Sequence, residues 1–144
     1  MKIWNEKPLK SEVKKVVKEF FKLLKAGELE RAKHIIAHQY EDWDSQLYSL
    51  WQDTYLIYLE YRDREVEDDS FEGQLWRKDL RWLKKLQLVD VFKWGNEEGE
   101  YVEENDWFNV PINYAGETTD VTAEFRVDKK DGHYFIVRET MNVL

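Results

Sequence analysis

The chain has 144 residues, 42% apolar and 36% charged, which suits one globular domain over residues 1–144 and leaves no comfortable room for two. Cysteine is absent, excluding disulfide frameworks, thiolate zinc sites and cysteine nucleophiles. With 30 acidic against 22 basic side chains the net charge is -8, which argues against sequence-independent nucleic-acid binding and favours a basic partner.

The start, Met1 to Pro8, lacks the apolar segment of a secretory signal, and no run approaches the roughly 18 apolar residues of a membrane helix; a soluble, cytoplasmic protein is expected. Ser11 is a candidate cap for a helix whose inward face holds Val13, Val16, Val17, Phe20, Phe21 and Leu24, with lysines outside. Gly27 supplies the stop, and Glu28 opens a short second helix with Leu29, Ala32 and Ile36 inward. From Ser45 to about Arg64 the spacing of Leu47, Leu50, Trp51, Tyr58 and Tyr61 is helical, although residues 54–61 are rich in strand formers and a strand stays open there. After the acidic link Glu65 to Asp69, Ser70 can cap a further helix with Phe71, Leu75, Trp76, Leu80, Leu83 and Leu86 inward.

At Leu88 the apolar period changes to two. Four antiparallel strands are expected near residues 88–94, 106–115, 117–128 and 133–141, joined at Gly95-Asn96, Ala115-Gly116 and Asp131-Gly132. Phe108, Val110, Ile112 and Tyr114 share one face, as do Thr119, Val121, Ala123, Phe125 and Val127 on the next strand. Pro111 cannot donate to a ladder, so its strand carries a bulge or turns that position outward. Helices first and a meander second define an α+β domain: N-terminal helices packed on a curved C-terminal antiparallel sheet of about four strands, with a conical space between them.

The segment Val17 to Ala32, with a helix ending at Ala26-Gly27-Glu28 and a second beginning at once, resembles the opening of the nuclear transport factor 2-like (ketosteroid isomerase-like) superfamily, whose cystatin-like fold closes with a curved meander as here. That superfamily hosts isomerases, dehydratases, transport adaptors, association modules and bacterial toxin-immunity proteins, so the resemblance implies a scaffold and does not choose a function. In its isomerases a tyrosine on the first helix stabilises the oxyanion; the matching position here is Phe20, which has no hydroxyl. Asp44 falls near the proton-shuttling position, within the polar cluster Glu41-Asp42-Trp43-Asp44 that reads as exposed, while alternation puts Asp120 outside the pocket. No catalytic residue is assigned on this basis.

Glu30, His34, His38 and Asp42 would form one stripe if the second helix ran that far, but no third zinc ligand is indicated and an ordinary polar face is the simpler reading; no metal or cofactor is expected. His133, beside Asp131-Gly132, reads as a strand-edge residue. No phosphate loop, nucleophile elbow or Walker motif occurs.

Charge falls in blocks: residues 41–72 hold eleven acids against two bases, and residues 88–106 hold seven against one. Both coincide with connections, where recognition is usually placed. Electrostatic steering is therefore assigned to Asp68, Asp69, Glu97, Glu98, Glu103 and Glu104, and apolar anchoring to Trp43, Tyr101 and Trp107. The expectation is a non-enzymatic binding protein, similar to the superfamily's immunity members, that neutralises a basic toxin, for example a nuclease. The alternative is a small-molecule-binding isomerase or dehydratase using the conical cavity, and self-association through the sheet's outer face, as in many relatives, is a third possibility.

Overall fold

Along the first helix, α1 (Lys10–Lys25), Val13, Val17, Phe20, Phe21, Leu23 and Leu24 are buried on one side. The computed structural model describes residues 1–39, 42–51, 53–54 and 80–143. The start of α1 differs from the sequence expectation: the cap position is Leu9, and Ser11 lies inside the first turn. The orphaned Leu9 amide is satisfied instead by the Glu12 carboxylate, which accepts from it at 3.1 Å. Gly27 ends the helix as expected, at φ 76°. Its amide donates to Leu24 and that of Glu28 to Leu23, both at 3.0 Å, the bond pair of a Schellman stop.

Helix α2 (Leu29–Ile35) is short and gives way at once to a two-residue strand, β2 (Ala37–His38). This scatters the Glu30, His34, His38 and Asp42 stripe. Helix α3 (Trp43–Trp51) begins before Ser45, because Asp42 serves as its cap and accepts from the Ser45 amide at 3.1 Å. The anticipated continuation through residues 55–64 and the helix from Ser70 through Trp76 lie outside the described residues. Leu80–Lys85 is a 3-10 helix, and Leu86 already belongs to the sheet.

The sheet is strongly curled, and its long strands are antiparallel. Its order is β1-β7-β6-β5-β3, with β2 added to β7 and β4 to β5. The strands are β1 (Ile3–Trp4), β3 (Leu86–Leu88), β4 (Lys93–Trp94), β5 (Trp107–Tyr114), β6 (Glu117–Lys130) and β7 (His133–Val143). The expected first strand is thus two pieces, both antiparallel to β5. Sequence analysis missed β1, antiparallel to β7, and β2, parallel to it. The curl has a local origin: register shifts fall between Pro111 and Asn113 on β5 and between Glu124 and Phe125 on β6. The first is the irregularity that Pro111 demands. Thr122 donates to the Val110 carbonyl at 3.1 Å and Thr119 to that of Ile112, so hydroxyls supplement the ladder where it slips.

On the concave side Phe108, Val110, Ile112 and Tyr114 are fully buried, as alternation predicts. The middle of the domain is filled by rings. Phe108 and Phe125 stack at 5.3 Å, Phe20 stands edge-on to Phe125 at 6.4 Å, and Trp94 covers Phe108 at 4.7 Å.

Candidate functional site

The acidic connection between β4 and β5 is built as a rigid display. Two backbone bonds clamp it to the segment preceding α1: the Lys10 amide donates to the Glu100 carbonyl at 2.7 Å, and that of Val102 donates to Pro8 at 2.8 Å. Val102 is fully buried and pins the middle of the loop. Its far end is tied to β6, with Asn105 donating to Val127 at 2.7 Å and Val127 returning a bond to Asp106 at 2.9 Å. The Asp106 carboxylate accepts from the Glu103 amide at 2.8 Å, and Lys10 Nζ caps the Asn96 carbonyl at 2.8 Å. A loop held at so many backbone points loses little entropy when a partner docks.

On this frame Glu97, Glu98, Glu103 and Glu104 are exposed. Glu103 pairs with Lys7 at 2.7 Å, and the Lys7 ammonium holds its carboxyl below the usual range. Tyr101 and Trp107 are each 54% exposed, unusual for rings of this size in a monomer. Trp107 lies against Gly95, where even a Cβ would overlap the indole. Trp43 differs from the sequence expectation: it is only 4% exposed, because α3 turns its first residue into the core, so its ring is not displayed at the surface as an anchor. Asp68 and Asp69 lie outside the described residues. Asp44 and Asp120 are exposed, as expected from their places in the sequence.

Beneath the sheet's concave face lies a cluster that sequence analysis did not single out. Arg138 of β7 is fully buried and in register with Phe125 on one side and His38 on the other. Its Nε–H donates to His38 Nδ1 at 2.8 Å, which requires the His38 proton to sit on Nε2, and that nitrogen donates to the Lys33 carbonyl at 2.6 Å. The guanidinium carbon stands 5.4 Å from the centre of the Trp43 ring. Nη1 and Nη2 are buried without a hydrogen-bond partner among the described residues. Burial lowers the Arg138 pKa to about 10, so the group stays charged at neutral pH. Burial also brings His38 down to about 4, and the charges of Arg138, Lys33 and His34 act in the same direction. The available signal was Arg138 itself, a charge at an inward position of an alternating strand, in step with Tyr134 and Ile136.

A third feature is a groove of about 620 Å³ between α1 and the 3-10 helix, where Lys18, Lys22, Lys25 and Lys84 ring a floor of Phe21 and Leu88. Two basic stretches far apart in sequence meet there. Asp90 already occupies its rim, 2.8 Å from Lys18 and 3.3 Å from Lys14. Among the described residues no group of three acid or histidine side chains could hold a metal ion, and no helix is long and apolar enough to cross a membrane.

The architecture is that of an α+β domain with helices in the concavity of a curled sheet, its interior filled by rings and an acidic connection between β4 and β5. No protein-family model, curated protein or solved structure matches the chain.

Proposed function

We propose that this chain is a non-enzymatic binding protein that captures a basic protein through the acidic loop between β4 and β5. Its specific role would be that of an immunity protein neutralising a cognate basic toxin, such as a nuclease, on a nuclear transport factor 2-like scaffold. The observation that carries the reading is the pair Tyr101 and Trp107, each 54% exposed, on or beside a backbone-clamped loop bearing Glu97, Glu98 and Glu104. Aromatic anchors ringed by acids suit a cationic face: the acids speed encounter, and the rings supply contact area at low entropic cost.

The interior supports the same reading. On the resemblance to the isomerases, Phe20 holds the position of the hydroxyl donor and cannot donate, and Asp44 is exposed.

The test is to express the protein encoded beside this chain, ask whether it is toxic alone, and ask whether this chain binds and neutralises it. The double variant Glu98→Lys with Glu104→Lys should slow association at least about tenfold at low salt and flatten its salt dependence, and Trp107→Ala should speed dissociation. Equal rates for the charge-reversed and native chains would defeat the steering claim. A neighbour that is neither toxic nor bound would remove the immunity role.

A further inference from the structure

A fully buried guanidinium with two unpartnered terminal nitrogens is a costly feature, and proteins ordinarily pair such a charge with a carboxylate. Among the described residues Arg138 has no such partner; its Nε–H is committed to His38, and one face of the guanidinium lies against Trp43. The tether to His38 fixes the plane of the guanidinium and leaves Nη1 and Nη2 as a free fork, the arrangement that takes both oxygens of a carboxylate. Phe20 and Trp43 lie 6.3 and 5.0 Å from the His38 ring, and Phe125 lies across the strand pair, so whatever pairs with the fork is surrounded by aromatic faces. His38 is neutral and adds no positive charge. One cation matches one negative charge, which favours a monocarboxylate over a phosphate dianion. Trp43 also lines an open groove of about 480 Å³ formed with Gly27 to Arg31, so the residue whose ring covers the guanidinium borders solvent-accessible space.

We propose that Arg138 is the receptor for the carboxylate of a small ring-bearing acid, which reaches the fork from the α2 side when the Trp43 indole moves off the guanidinium. The ligand exchanges the cation–π contact for a charge-assisted, two-pronged hydrogen bond and keeps its apolar part among Phe20, Phe125 and the displaced indole. This site is separate from the acidic loop and stands or falls independently of the partner.

The experiment is calorimetric titration and thermal melting of the full chain with phenylacetate, benzoate and the neutral analogue phenylacetamide, at one fixed ionic strength set with sodium chloride. Phenylacetate or benzoate should bind and raise the melting temperature, and phenylacetamide should do neither. Arg138→Met should melt at or above the native temperature without ligand, because an uncompensated charge is gone, and should bind the acid at least about thirtyfold more weakly. Arg138→Lys keeps the charge but not the fork, and it should also bind more weakly. The proposal is overturned if the amide protects as well as the acids, if Arg138→Met binds the acid as tightly as the native chain, or if neither acid shifts the melt at about 10 mM, a concentration that would reveal even millimolar affinity.

Discussion

Trp107 and Phe108 are chain neighbours, yet the indole is 54% exposed and the phenyl ring is fully buried. Successive strand residues point to opposite faces, so one step along β5 crosses from a surface where a ring is available for contact to an interior where a ring is already spent on packing. The outer ring rests on Gly95 and a loop tied down by backbone bonds, whereas the inner one is fixed by Phe125, Trp94 and Phe92 at 4.7 to 5.9 Å. Rigidity therefore has two sources in this molecule. In the interior it comes from stacked rings, and in the acidic loop it comes from hydrogen bonds to Pro8, Lys10 and Val127.

Removing a ring on each side should expose the contrast most sharply. Phe125→Ala, which empties the space between Phe20 and Phe108, should lower stability by about 3–5 kcal/mol in urea unfolding. An acid scan comes next. With its pKa near 4 in the fold against 6.5 unfolded, His38 has no effect above about pH 6.5. As pH falls from 6.5 to 4 the unfolded chain takes the proton and the native one does not, so stability should drop by about 2 kcal/mol, discounted for the partial exposure of the ring. His38→Gln, which can still accept from Arg138, should flatten that portion of the curve. If both proteins show the same slope, the His38 and Arg138 contact is not what titrates.

Val102→Ala should cost about 1.5–2 kcal/mol, and amide exchange should accelerate through the acidic loop while the Phe108 region stays protected. Trp107→Ala should change stability by no more than about 0.5 kcal/mol while weakening the proposed partner interaction, the reverse of the interior variant. Gly95→Ala forces that indole to shift, because the added Cβ would lie 2.4 to 2.8 Å from its ring atoms, and it should alter Trp107 fluorescence and partner dissociation. If Trp107→Ala destabilised the fold as much as Phe125→Ala, the division between display surface and packed interior would be wrong.

Much of the fold could be read from residue order because long periodic segments repeat their signal. The alternation in β5 and β6, the apolar stripe of α1, the stop at Gly27 and the turns at Ala115-Gly116 and Asp131-Gly132 each rest on local sterics. The irregularity at Pro111 was legible for the same reason. Of the candidate site, Glu97, Glu98, Tyr101, Glu103, Glu104 and Trp107 are on the surface as anticipated, while Trp43 is not. Its local neighbours are polar, but Asp42 begins α3 early enough to turn Trp43 inward.

Composition, alternation and turn chemistry thus determined the α+β class, the inward faces of the long strands and the placing of Glu97, Glu98, Glu103 and Glu104 on a connection. These properties depend on a residue and its near neighbours in the chain. Tertiary structure alone decided that β1 and β2 pair with β7, that residues 8–10 clamp the acidic loop, and that Arg138 meets His38 across a hundred residues, with two nitrogens unpartnered among the described residues. Two-residue strands carry no detectable period, and a hydrogen bond between distant segments leaves no mark on either one, so those features exist only once the chain has closed on itself.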